Sequence, residues 1–188
     1  GFIWISSHQG ISKYDGYTFT NYTHNPNNNN SLPKAGNYLT PAEDKEGNIW
    51  IPVENKGVIC YYRKLDIFIH HYHIPGIATS LSHNHVSEIL LDKNKELWFA
   101  TQDGLNHYNY HDGSFTCYKH QKKDTNSICN NHIFSILEDS KGNFWVGTQD
   151  GFDRFDRKNK RFIHYLQDID FSAYADLNPV YDITEDSK

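Results

Sequence analysis

The sequence predicts an all-β chain, a β-propeller of four blades with about 47 residues and four antiparallel strands apiece. Three observations predict it. The four tryptophans, Trp4, Trp50, Trp98 and Trp145, recur at intervals of 46, 48 and 47 residues, and a period in the forties with strand-like content marks stacked repeats. Each opens the same phrase: an aromatic–apolar dipeptide, a polar turn ending in glycine, and an aromatic four residues on. Turn signals fall roughly every 8–12 residues between short apolar runs, without a 3.6-residue pattern, which excludes helical and leucine-rich solenoids.

The clearest copy gives the elements in order. Residues 133–139, IFSILED, are apolar and β-prone and form a first strand. The turn 140–143 follows, with Gly142 and Asn143 expected at positive φ. FWVGT (144–148) is a second strand, 149–151 a tight turn, FDRFD (152–156) a third strand, 157–160 a turn, and RFIHY (161–165) a fourth. One such sheet cannot bury both of its faces, so copies must stack. The same register places strands two to four of blade 1 at 1–23, blade 2 at 36–73, blade 3 at 84–119 and blade 4 at 131–166. PVYDITED, within 178–186, is then the first strand of a following blade, in one unit spanning 1–188.

The copies agree position by position. Acidic turns precede three tryptophans, beginning at Asp44, Asp92 and Asp139, and the turns after the tryptophans end at Gly10, Gly57, Gly104 and Gly151. Asn84, Asn131 and Asn178 stand at the start of the first strand, with Gly36 in that place in blade 2; a side-chain-to-backbone turn is the expected role. Blade 2 departs at Pro41 and Pro52, which delete ladder hydrogen bonds, and in a turn one residue longer (Val53 to Lys56). A local bulge and a blade reshaped near a ligand are both open readings. The chain starts three residues before a tryptophan and stops at Asp186-Ser187-Lys188, so it reads as four periods cut inside a blade. The last strand either closes a four-bladed ring or the blades are an arc of a larger propeller. The arc is the expectation, and its exposed edges favour self-association.

Composition narrows the partners. Hydrophobic residues make up 37% and aromatics 15%, which suits short strands packed by flat side chains. A net charge of −5 argues against nucleic acid, whose phosphates need a basic face. The basic cluster Lys119 to Lys123 reads as a solvated loop. No apolar run approaches a membrane span and no signal peptide is seen. Cys60, Cys117 and Cys129 lack metal spacing; Cys60 and Cys117, in strands, read as small buried groups.

Twelve histidines invite a metal reading. His71 and His73, or His83 and His85, would share a strand face. Yet His71 replaces an outer-strand aromatic, and His85 and His132 occupy one repeated position, so no metal or other cofactor is expected. Asp103 and Asp150 recur in turns before glycine, as type I′ or related turns need, and no catalytic residues are expected. The tryptophans read as packing between blades. Binding is expected on the face shared by the turns between strands two and three and the links between blades. There lie His8 and Gln9, Glu54 and Asn55, Gln102 and Asp103, Gln149 and Asp150, whose planar polar groups, with nearby aromatics, suit sugar hydroxyls.

At ILEDSKGNFWVGTQDGFDRFDRKNKRFIHY, and closely at LLDKNKELWFATQDGLNHYNYHDGSFTCY, the chain resembles the two-component regulator propeller repeat. Ser31-Leu32, Ser80-Leu81 and Ser127-Ile128 fit the links of that family; the last link, 166–178, instead holds Asp168, Asp170, Phe171 and Tyr174. The resemblance implies part of a periplasmic, signal-sensing region of a membrane-anchored hybrid two-component sensor histidine kinase that responds to an oligosaccharide-type ligand. No kinase motif occurs here, so the chain itself is expected to be non-catalytic. The alternatives are a protein-interaction or dimerisation propeller and a polysaccharide-degrading propeller enzyme.

Overall fold

The computed structural model describes residues 1–28, 30–34, 36–165 and 179–187. The described residues form fifteen strands in four sheets, and no helix. The first sheet holds β1 (Ile3–Ser7), β2 (Gly10–Tyr14) and β3 (Phe19–Tyr22). The second holds β4 (Ala42–Glu43), β5 (Ile49–Val53), β6 (Gly57–Tyr62) and β7 (Ile67–His71). The third holds β8 (Val86–Leu91), β9 (Leu97–Thr101), β10 (Gly104–Asn109) and β11 (Ser114–Tyr118). The fourth holds β12 (Ile133–Glu138), β13 (Phe144–Thr148), β14 (Gly151–Asp156) and β15 (Arg161–Tyr165). Each is an antiparallel meander in chain order, joined by hairpins. This is the β-propeller architecture.

The second strands are the most apolar, and β5 and β9 are buried throughout. A strand covered on both faces loses the polar–apolar alternation that β14 keeps, where buried residues alternate with half-buried ones. The cores lie between blades. Ile11 and Leu32 pack with Ile49, Ile51 and Tyr61 between blades 1 and 2. Trp50 and Cys60 pack with Leu97, Phe99 and Tyr108 between blades 2 and 3. Trp98 and Leu105 pack with Phe144, Val146 and Phe155 between blades 3 and 4.

The tryptophans mark these seams. Trp50 meets Phe99 at 5.3 Å and Tyr108 at 4.7 Å edge-on, and Trp98 meets Phe144 at 5.0 Å and Phe155 at 5.5 Å. Trp4 lies 5.1 Å from Tyr61 of blade 2. Trp145 instead packs on Phe152 and Tyr165 of its own blade. The indoles are also tied down. Trp50, Trp98 and Trp145 donate Nε1–H to Asp44, Asp92 and Asp139 at 2.8, 2.9 and 2.9 Å. The second oxygen of each carboxylate accepts the backbone N–H of Asn48, Glu96 or Asn143, so the acidic turn and the indole share one anion. At Asp139, burial alone would raise the carboxyl pKa, but the hydrogen bonds from Asn143 and Trp145 outweigh it and hold the group down at about 2.

Several details correct the sequence reading. In the acidic turns positive φ falls on Gly47, Lys95 and Gly142 alone, so Asn143 does not share it. In the turns that follow, Gly104 and Gly151 have positive φ but Asp103 and Asp150 do not, which excludes type I′. The longer blade 2 turn spends its extra residue on Asn55, at φ 57°. Asn84 and Asn131 do not make local turns. Their Oδ1 atoms accept the N–H of His73 and His120, eleven residues earlier, tying each strand start to the link before it.

Pro41 and Pro52 shorten the inner strand of blade 2. Its ladder survives as Ala42–Glu43 and as an isolated Tyr38–Val53 bridge, while β8 and β12 keep six residues with one register shift. Residues 179–187 join no sheet, so the strand expected within 178–186 makes no ladder; residue 178 lies outside the described residues. The segment still docks on blade 4. Val180 donates its N–H to Thr148 O at 2.9 Å, and Glu185 accepts from the Ser140 N–H and hydroxyl. Asp168, Asp170, Phe171, Tyr174 and Asn178 of the last link also lie outside the described residues.

Candidate functional site

The hairpin turns β1–β2, β5–β6, β9–β10 and β13–β14 present the eight expected binding residues. Two of the turn glycines dock on the next blade: Gly57 and Gly104 donate N–H to the carbonyls of Asn84 and Asn131, both at 2.8 Å. Turns and links therefore do share one face.

On that face the side chains pair across elements. His8 donates to Asn37 Oδ1, and Asn37 Nδ2 donates to Glu54 at 2.5 Å, so blade 1 reaches Glu54 through one amide. His85 Nδ1 donates to Asn55 Oδ1 at 3.2 Å, and His132 Nδ1 to Gln149 Oε1 at 3.1 Å. Asn130 donates to Asp150 at 2.7 Å. Asp103 takes Asn131 Nδ2 at 3.0 Å and Lys119 Nζ at 2.5 Å. The Gln9 and Gln102 side chains are exposed and take no partner among the described residues. Burial, with His83 and His132 nearby, lowers the His85 pKa against the opposing charge of Glu54, so these groups converge.

Sequence reasoning missed the residues that complete these pairs. Asn37, His85 and His132 form one repeated position, one residue before the first ladder pair of each inner strand, and each faces the turn of a neighbouring or its own blade. Only the two histidines were visible as a repeat. Three other histidines are repeats as well: His24, His73 and His120 each donate Nδ1–H to the carbonyl eight residues on, Leu32, Leu81 or Ile128, at 2.8–2.9 Å. Ser31, Ser80 and Ser127 accept the N–H of Asn25, Ile74 and Gln121, closing the same links. Those side chains hold the links together.

A cavity of about 420 Å³ lies at the inner strands, walled by Thr40, Glu88, Phe134, Ser135, Tyr181 and Asp182. It adjoins the polar face, since the His132 ring rests 4.4 Å from Phe134. Phe134 and Tyr181 pack at 4.8 Å, and 69% of Tyr181 is exposed. Ser135 Oγ is buried without a hydrogen-bond partner among the described residues. Burial pushes the Glu88 carboxyl pKa up, although Ile136 donates its N–H to it. Aromatic faces, carboxyl groups and a free hydroxyl can together bind a polyhydroxylated ring. The sequence conceals this cavity because each wall comes from a different blade.

Comparison with known proteins places this architecture. The family model for the two component regulator propeller matches residues 80–103 and 127–150. No curated protein matches the chain. A solved structure described as the extracellular domain of a hybrid two component system from B. thetaiotaomicron is 21% identical, with a TM-score of 0.59 over 87% of this chain and 28% of that one. PorZ, a surface component of the type-IX secretion system of Porphyromonas gingivalis, is 15% identical, with a TM-score of 0.58 over 82% of this chain and 23% of that one. Virginiamycin B lyase from Staphylococcus aureus is 15% identical, with a TM-score of 0.60 over 90% of this chain and 53% of that one. This chain thus spans about a quarter of the first two and half of the third, and the likeness is one of fold. The chain is therefore a β-propeller that carries two-component regulator propeller repeats at residues 80–103 and 127–150.

Proposed function

We propose that the chain is a non-catalytic, extracytoplasmic sensing module, an arc of a larger propeller in a membrane-anchored hybrid two-component sensor histidine kinase. The observation that carries this reading is the pair of matched repeats at 80–103 and 127–150. The ligand is an oligosaccharide, taken by the cavity beside Phe134 and Tyr181 and by the polar face of His8, Glu54, Asn55 and Gln149. Binding shifts a conformational equilibrium by its differential affinity for two states, and the membrane segment relays the shift. Calorimetry of an intact propeller containing this chain, against a panel of glycan fragments, tests the reading. Saturable binding that falls at least tenfold in F134A supports it; no heat with any fragment overturns direct sensing of those glycans.

A second reading has its own observation. Phe2, Ile3, Ile5 and Phe19 of blade 1 are exposed at 45–60%, an apolar face suited to a neighbouring sheet or a second copy. Light scattering of the purified chain separates the two: a dimer lost in I3K/I5K supports association through blade 1.

A further inference from the structure

Three positions recur where each link meets the blade it leads into. The link residue after the apolar anchor is Pro33, Ser82 or Cys129; the third strand contributes Ile59, Asn106 or Asp153; the outer strand contributes His70, Cys117 or His164. In blade 3 this is a neutral clasp. Ser82 N–H donates to Asn106 Oδ1 at 3.0 Å, and Asn106 Nδ2 returns a bond to Ser82 Oγ at 2.7 Å. Blade 4 keeps the backbone half, with Cys129 N–H donating to Asp153 Oδ2 at 2.8 Å. The other half is inverted, because Asp153 offers an acceptor where Asn106 offers a donor.

That inversion leaves a gap in charge. Asp153 is completely buried, and a buried carboxylate needs a cation or strong donors. The oxygen that the Cys129 amide leaves free, Oδ1, faces the His164 ring, with Nδ1 at 2.7 Å. The other ring nitrogen, Nε2, sits 2.9 Å from Thr125 O and must carry a hydrogen to bond there. In a neutral imidazole Nδ1 is then a lone pair facing a carboxylate lone pair. Only a positive species between them, a proton or a metal ion, resolves the arrangement.

Cys129 adds a third donor. The Sγ, Nδ1 and carboxylate oxygen all lie within 4.8 Å of one another. Donors around a tetrahedral zinc, bonded at about 2.0–2.3 Å, stand roughly 3–4 Å apart, so a small adjustment, with Nδ1 and Oδ1 parting slightly and Sγ drawing in, brings the three into range. The outer contacts that orient metal ligands are already present: Nε2–H on Thr125 O, the Cys129 amide on Asp153 Oδ2, and Thr148 Oγ1 at 3.0 Å from Sγ.

We propose that Cys129, Asp153 and His164 form a site for a zinc-class divalent metal, which staples the link between blades 3 and 4 to the outer strand of blade 4. Binding displaces the thiol proton of Cys129 and any proton held between His164 and Asp153, leaving thiolate, carboxylate and neutral imidazole as ligands. The fourth position is open to water or to Thr148 Oγ1.

Cobalt(II) titration of the full chain tests the site. One cobalt per chain, with a near-ultraviolet sulfur-to-cobalt charge-transfer band displaced by zinc, is expected. C129S and D153N install the residues that blade 3 already carries in this clasp, so both variants fold, which circular dichroism checks. C129S abolishes the band, D153N and H164Q weaken affinity at least tenfold, and C60S and C117S leave the band unchanged. Absence of the band in the unaltered chain, or its survival in C129S, overturns the proposal.

Discussion

Arg157, in the β14–β15 turn of blade 4, lies 3.1 Å from Asp92 Oδ2 of blade 3, the same oxygen that receives the indole N–H of Trp98. The Arg157–Asp92 contact is an ion pair whose angles do not make a hydrogen bond; Arg157 Nη1 bonds Glu138 at 3.0 Å, and the guanidinium covers the Phe144 ring at 4.9 Å. Blade 2 places Arg63 at the same repeat position, bonded to Glu43 at 3.2 Å but with both partners exposed.

This contrast predicts unequal costs. R157A removes a largely desolvated cation from two carboxylates and lowers stability by about 3 kcal/mol. R63A, at an exposed pair, costs about 0–1 kcal/mol. Urea midpoints of the two variants, with the unfolding slope unchanged, check the order; equal shifts would refute it.

The acidic turns carry a second prediction. D92A strands the Trp98 Nε1–H and the Glu96 amide, and also removes the Arg157 partner, so it costs about 3 kcal/mol. D139A strands Trp145, Asn143 and the exposed Lys141 amide but removes no ion-pair partner, and costs about 2 kcal/mol. Tryptophan fluorescence during denaturation reports both midpoints.

His71 predicts a pH dependence. It stands where the other blades carry Tyr22, Tyr118 and Tyr165, lies 4.9 Å from Trp50, and has a buried Nε2 without a hydrogen-bond partner among the described residues. Burial, with the charge of His70, pushes its pKa down from 6.5 to about 4. The unfolded chain thus binds a proton that the folded chain refuses between those values. Stability is undiminished above pH 6.5 and falls as pH drops toward 4, by about 2 kcal/mol between pH 7 and 5. H71F flattens that segment of the stability–pH curve; an unchanged slope in H71F would assign it to another group.

Gly57 is a backbone requirement. Its φ is +86°, and a Cβ would meet His71 O and, at 3.0 Å, Tyr72 Cα. G57A lowers stability by about 1–3 kcal/mol. G76A, with the same positive φ but open space, costs less, as thermal melts of the pair will show.

How much of this was legible in the sequence follows from how local each feature is. Strand order, turns and blade seams were legible because a tryptophan and a turn glycine mark each copy, and both act within one hairpin. The Asp–Trp bonds sit at a fixed spacing of six, from Asp92 to Trp98 for example, yet the pattern alone reads as a turn. The partners of the binding face were half visible, because His85 and His132 repeat while Asn37 stands at the same position unmarked. The inner cavity was hidden because its walls come from different blades, and the Cys129–Asp153–His164 cluster because a link cysteine joins two facing residues of one hairpin at no metal-ligand spacing.

The clasp between link and third strand also differs where it is missing. Pro33 has no amide hydrogen, and Ile59 stands where Asn106 and Asp153 accept one. The link between blades 1 and 2 therefore lacks the bond to its third strand that both successors have, and is held to the outer strand by His70 Nε2 on Ser31 O at 2.9 Å. Under tension applied at Gly1, blade 1 peels away first, while blades 2 to 4 remain docked and yield only at higher force.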